Sequence, residues 1–165
     1  MFNIKVKKIF LNLFAISTLF IIDRIVKIYV IEIAKLNGEV DIYINSYLNF
    51  YLIWNKGIAF GMFSFEQDLL YNLISFIIFI ICIVLTIMIV KSNKVKKYYL
   101  ILILGGALGN FYDRIYYSAV PDFIDLHIND FHWFIFNVAD IFITVGVICL
   151  ILDELFFYKK TNEII

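Results

Sequence analysis

The chain has 165 residues, with 14 basic and 14 acidic side chains and no formal net charge, which excludes the basic surface of a nucleic-acid binder. It is 63% hydrophobic and only 17% charged, with a mean hydropathy of +0.91, whereas an average soluble domain is about 45–50% apolar and about 25% charged. That balance places the chain in a membrane as one domain, and one proline with seven glycines leaves no room for a long disordered linker.

The N-terminal residues carry Lys5, Lys7 and Lys8, followed by an uncharged apolar run from Ile9 to Ile22 that Asp23, Arg24 and Lys27 close. A basic start and apolar middle imitate a signal peptide, but no small-residue cleavage site follows. Residues 8–31 are therefore expected to form a retained first membrane helix. Residues 32–68 change character. The stretch IYINSYLNFYLIWN mixes Ile, Tyr, Phe and Trp with polar residues, which favours short strands at a membrane interface, and Gly57 and Gly61 mark turns. An interfacial β segment is expected over about residues 40–65.

Leu69 to Val90 carries no charge and is long enough for a span of about 20 residues. Lys91, Lys94, Lys96 and Lys97 follow it. A third helix is expected over 98–117, with the small residues of Gly105–Gly109 allowing close helix approach. After a connecting loop, a fourth span is expected over 133–157, interrupted only by Asp140 and closed by Lys159 and Lys160. The lysines gather at the starts of the first and third spans and the ends of the second and fourth. The positive-inside rule then puts both termini in the cytoplasm. Cys82 and Cys149 lie inside apolar runs, as small buried hydrophobes rather than a disulfide or metal pair.

A rise of about 1.5 Å per residue gives about 22 Å from Lys8 to Asp23, about 26 Å from Lys97 to Arg114 and about 28 Å from Asp140 to Lys159. Three helices thus deliver charged groups to one level near the outer face of a core about 30 Å thick. Asp122 follows the third helix closely and belongs to the same level. Ionisable groups at such depths are expensive and mark function. Asp113 either pairs or snorkels to the interface, whereas Arg114 stands one turn from Asn110 on a helix face. Asp122 and Asp140 flank the connection that returns the chain to the membrane. Two carboxylates sharing a partly dry site cannot both ionise easily, so one keeps a proton while the other acts as base toward water. Asp125 and Asp130 are expected to be solvated. His127 and His132, spaced i, i+5 in the expected loop, do not match a helical metal pair and read as interface packing.

Five blocks carry a resemblance: DRIVK at Asp23–Lys27, NKGIAFG at Asn55–Gly61, GGALGNFYDR at Gly105–Arg114, VPDF at Val120–Phe123 and FNVAD at Phe136–Asp140. In this order, on a four-span chain, they resemble the bacterial lipoprotein signal peptidase (type II signal peptidase) family along nearly the full length. The resemblance implies a membrane aspartic endopeptidase that cleaves prolipoproteins before a diacylglyceryl-bearing cysteine. It implies Asp122 and Asp140 as catalytic residues, with Asp23, Lys27, Asn55, Gly57, Asn110, Arg114 and Asn137 in support, and an extracytoplasmic β-cradle.

The fold expected is an all-α, four-transmembrane-helix bundle with cytoplasmic termini and a small extracytoplasmic β-cradle between helices 1 and 2. The expected enzyme uses no metal or cofactor. It is a monomer in the bacterial inner membrane, with prolipoproteins and membrane lipids as partners and no nucleic acid. Two rival readings remain at this stage. One is a transport or proton-relay protein using the intramembrane Asp and Arg groups; the other is a non-catalytic lipid-binding subunit.

Overall fold

The computed structural model describes residues 4–57, 68–92, 95–129 and 131–162. In chain order the elements are α1 (Ile4–Asn37), β1 (Asp41–Asn45), β2 (Leu48–Asn55), α2 (Asp68–Lys91), α3 (Lys96–Tyr117), β3 (Val120–Ile128), β4 (Phe131–Phe136) and α4 (Val138–Asn162). The chain is mostly helical, with one small antiparallel sheet in the order β1-β2-β3-β4.

Among the described residues, two helices are long and apolar enough to cross a membrane, over Val6–Asn37 and Tyr71–Lys91. Their outer faces show why. Phe10, Phe14, Ile25, Phe76 and Ile80 are all exposed, and a continuous apolar face of this kind is not stable in water. Helix α3 packs against α1, α2 and α4. Its sequence explains that position. A Cβ on Gly109 would sit 2.6 Å from Asp23 Oδ2, and one on Gly106 would lie 2.9 Å from Ile143 Cγ1. Bare glycine backbone is thus what lets α1 and α4 close on α3. Leu100, Ile101, Ile103, Leu104 and Ala107 of α3 pack with Cys82, Leu85 and Ile89 of α2 into the main apolar core. Cys82 and Cys149 are both free thiols.

The expected elements shift in three places. First, α1 runs six residues past the expected end at 31, to Asn37, where Gly38 at φ 84° turns the chain. Second, the expected loop after α3 is a hairpin. Ser118 ends α3 in the left-handed region, and β3 and β4 follow at once, turning at Asn129 (φ 52°). Half of the sheet therefore comes from between α3 and α4, not from between the first two helices. Third, residues 133–136, expected as the beginning of the fourth span, belong to strand β4, and α4 begins at Val138. Beneath the sheet, Phe123 and Val40 pack with Val30 of α1, which fixes the cradle to the helices. The expected turn at Gly61, the rest of its block from Ile58 on, Lys94 and Asp130 lie outside the described residues.

Candidate active site

The sheet and three helix ends meet around a cavity of about 320 Å³. Asp122, Asp140, Asn55, Asn110 and Arg114 line it together with apolar walls from Ile78 and Ile81 of α2, Ile103 and Ala107 of α3, and Ile143 of α4. Asp122 reaches it from β3 and Asp140 from the first turn of α4.

Asp140 owes its place to the way α4 begins. Asn137 Oδ1 accepts from the Asp140 backbone N–H at 3.2 Å, and Asp140 Oδ2 accepts from the Asn137 N–H at 3.1 Å. This is a reciprocal cap, with Asn as N-cap and Asp three residues on, and it satisfies backbone donors that the helix leaves free. The other oxygen, Oδ1, accepts from Asn110 Nδ2 at 2.8 Å. The N–X–X–D spacing is legible as a cap in the sequence, and it would have put the helix start at 138 rather than 133.

Asp122 is 1% exposed and lies between two amides. Asn137 Nδ2 donates to its Oδ1 at 2.6 Å, and Asn55 Nδ2 donates to its Oδ2 at 2.8 Å. Asn137 therefore braces both acids at once: its backbone and carbonyl oxygen hold Asp140, and its amide nitrogen holds Asp122. Asn55 also turns its own backbone, accepting from the Gly57 N–H at 2.8 Å, while the Gly57 carbonyl accepts from Arg114 Nη2. Burial pushes the Asp122 carboxyl up to about 7, with a further push from the Asp140 charge; the Asn55 and Asn137 donors oppose the rise.

Behind the acids is a buried charge network. Asp23, Lys27 and Asp113 are fully buried. Lys27 Nζ contacts Asp113 Oδ2 at 2.7 Å and Asp23 Oδ2 at 3.1 Å, and it donates to Asn110 Oδ1 at 2.8 Å. Arg24 forks onto Asp113 through both terminal nitrogens and reaches Asp23 at 2.8 Å. Asp23 Oδ1 accepts the Ala139 N–H at 3.0 Å, adding a second clamp on the first turn of α4. The group holds two cations and two carboxylates, so its charge closes. Replacing any one member would leave an uncompensated buried charge, which costs about 3–5 kcal/mol. Lys27 also orients Asn110, which in turn orients Asp140.

All nine residues singled out in the sequence thus fall in the cavity wall or in the layer that braces it. Asp113 pairs rather than snorkels. Arg24 was missed as a brace, although its place one turn from Lys27 in a membrane helix is the signal that could have found it. Arg114 Nε and Nη1 are buried and have no hydrogen-bond partner among the described residues, so the guanidinium at the cavity wall keeps free donors. Asp125 corrects the sequence reading. It is 3% exposed rather than solvated, and its Oδ2 lies 2.8 Å from His132 Nδ1. His127 and His132 are not loop residues but cross-strand partners with rings stacked 5.3 Å apart.

Comparison with known proteins gives the family. The family model described as Signal peptidase (SPase) II matches residues 15–156. The chain is 56% identical to the lipoprotein signal peptidase of Pelagibacter ubique (strain HTCC1062) over 162 residues, 98% of each chain. It is 36% identical to that of Anaplasma phagocytophilum (strain HZ), covering 90% of this chain and 94% of the relative. A solved structure described as a bacterial membrane enzyme, obtained by the in meso method at 2.3 Å, superposes with a TM-score of 0.72 and 28% identity. It covers 92% of this chain and 90% of its own. Matched over most of its length by the family model and by close relatives, the chain belongs to the signal peptidase II family.

Proposed function

We propose that Asp122 and Asp140 form the catalytic dyad with which this membrane peptidase removes the signal peptide from prolipoproteins, cleaving before a diacylglyceryl-modified cysteine. Membership of the family makes the chain a peptidase and removes the relay and non-catalytic readings. The observation that carries the dyad is the shared brace: one residue, Asn137, bonds both acids at the wall of one cavity.

The chemistry follows from the environments. Asp140 sits in the first turn of α4, where the helix dipole and two N–H donors offset part of the cost of burying its charge. Asp122, buried and facing that charge, holds the proton near neutrality. The pair titrates as a unit, and in its singly protonated state it can act as both base and acid. A water between the two loses a proton to Asp140 as its oxygen attacks the scissile carbonyl. The Asp122 proton stabilises the developing oxyanion. The C–N bond then breaks as a proton passes to the leaving amine, giving a carboxylate end on the signal peptide and a free amine on the lipidated cysteine. The unpaired Arg114 donors are placed to take substrate carbonyl oxygens. Ile78, Ile81, Ile103 and Ile143 offer the acyl chains an apolar flank, which suits a lipid-linked substrate.

The same reading sets the topology: four spans, both termini in the cytoplasm, and the cavity toward the outer face of the cytoplasmic membrane. The lysines at the ends of α2 and beginning of α3 support it, as does the cradle of Tyr and Trp residues at the opposite end. Reconstituted protein incubated with a diacylglyceryl prolipoprotein, followed by mass measurement of the released peptide, tests the chemistry. Asp122→Asn and Asp140→Asn should each lower the cleavage rate by about 10²–10⁴-fold or more while still inserting and folding. Cleavage at the wild-type rate by either variant would remove that acid from the mechanism.

A further inference from the structure

The β3–β4 hairpin carries a polar cluster that the dyad does not use. His132 Nδ1 lies 2.8 Å and 3.0 Å from the two Asp125 carboxylate oxygens, and His127 Nδ1 lies 3.7 Å from Asp125 Oδ2. One ligand atom from each of the three residues falls within 4.8 Å of the others. Residues paired directly across an antiparallel sheet share a face. His127 pairs with His132, and Asn49 of β2 pairs with Asp125, so all four side chains share one face. An irregularity in the β3–β4 register falls between Asp125 and His127 and sets where His132 meets its partner.

Two further observations point to an occupant. The His127 side chain is only 10% exposed, and its Nδ1 has no hydrogen-bond partner among the described residues. Asn49 Oδ1 is buried and likewise has none. A buried imidazole nitrogen and a buried amide oxygen without partners, beside an Asp–His pair, call for an occupant, and a cation would take the lone pair of each.

We propose that Asp125, His127 and His132, with the Asn49 amide oxygen as a fourth donor, bind one divalent transition-metal ion, of which Zn²⁺ is the best fit. Two imidazole nitrogens and a carboxylate suit zinc better than Mg²⁺ or Ca²⁺, which prefer all-oxygen sets. Bonds of about 2.0–2.1 Å at tetrahedral angles hold ligand atoms roughly 3.3 Å apart. The Asp125–His132 and Asp125–His127 separations of 2.8 Å and 3.7 Å bracket that value, and the two imidazole nitrogens lie within 4.8 Å of each other. The exposed His132 ring gives the ion its way in, and the bound ion would clip β4 to β3 and β2. This site is separate from catalysis: it stands on the far half of β3 from Asp122 and serves the cradle rather than the water.

Untagged protein in detergent, stripped with EDTA and desalted, is titrated with ZnCl₂ by calorimetry. One equivalent should bind saturably, with Mg²⁺ failing to compete. His132→Ala, His127→Ala and Asp125→Asn should each weaken zinc binding at least tenfold, while Asp122→Asn and Asp140→Asn leave it unchanged. His132 is largely exposed, so its variant should keep cleaving prolipoprotein, which shows that lost zinc binding is not lost folding. X-ray absorption on zinc-loaded wild-type protein needs no variant: two imidazoles per zinc uphold the site. No saturable binding, binding that the histidine variants leave intact, binding abolished by the dyad variants, or fewer than two imidazoles per zinc would each overturn it.

Discussion

Asn137 uses its backbone N–H, its amide oxygen and its amide nitrogen for three different tasks, and Asp122 depends on the third. Asp122 has little contact with water and faces a second carboxylate, so its proton is held up to about 7. The sign for activity follows. The proposed dyad works with one proton, which Asp122 loses as pH rises through about 7; cleavage should then fall, approaching tenfold per pH unit on the alkaline side. A rate that keeps rising from pH 7 to 9 would show that no such proton is needed. Stability carries the same sign. The folded state holds this proton more tightly than the unfolded chain, so the associated stability is full below the ordinary carboxyl value and is lost as pH rises to about 7. Wild type should therefore lose thermal stability between about pH 5 and pH 8 relative to Asp122→Asn, whose amide does not titrate. The same pH dependence in both proteins would contradict the assignment.

At the scale of elements, the closest fit is α3 against α1 and α4. A methyl group at Gly109 would fall 2.6 Å from Asp23 Oδ2, on a carboxylate that also holds Lys27, Arg24 and the Ala139 N–H. Gly109→Ala should destabilise by about 1–3 kcal/mol through overpacking and lower cleavage by shifting the first turn of α4; unchanged unfolding and unchanged rate would show that α1 yields freely. The helices were legible because charge ends their apolar runs: Asp23 and Arg24 close the first and Lys91 the second. The meeting of Asp23, Arg114 and Asp140 around one site was legible for the same reason, since a rise of about 1.5 Å per residue is a property of any helix. The second hairpin was not legible as such. Asp125 looked like a solvated loop residue, and the aromatic run Trp133–Phe136 looked like the beginning of a span. The alternation of Ile124, Leu126 and Ile128 with Asp125 and His127 does have the period of a strand. What the sequence could not show was its pairing with β2, which is a contact between distant parts of the chain. Asp125 was misread for that reason: its burial comes from β2 and β4, not from its neighbours in sequence. The choice of Asp122 and Asp140 among the acids rested on the family motifs, since spacing alone left several pairs open.

For the whole molecule, the proposed orientation can be read from either side of the membrane. In a Cys82→Ala, Cys149→Ala background, Ser46→Cys lies in the β1–β2 turn and Ser92→Cys just after α2. A membrane-impermeant maleimide should label the first in intact spheroplasts and the second only after lysis. The opposite pattern would invert the topology. The order of the elements has one more consequence. Both proposed catalytic acids, and two of the four strands, come after Tyr117. Asn55 is made early but has nothing to hold until β3 pairs with β2, and Asp140 has no cap until Asn137 precedes it into α4. A chain still emerging from the ribosome can thus place its first three helices with no hydrolytic centre at all. With the proposed dyad, the protease becomes able to cut only when its last third docks on its first, which would leave unfinished copies in the bilayer harmless bystanders to every peptide around them.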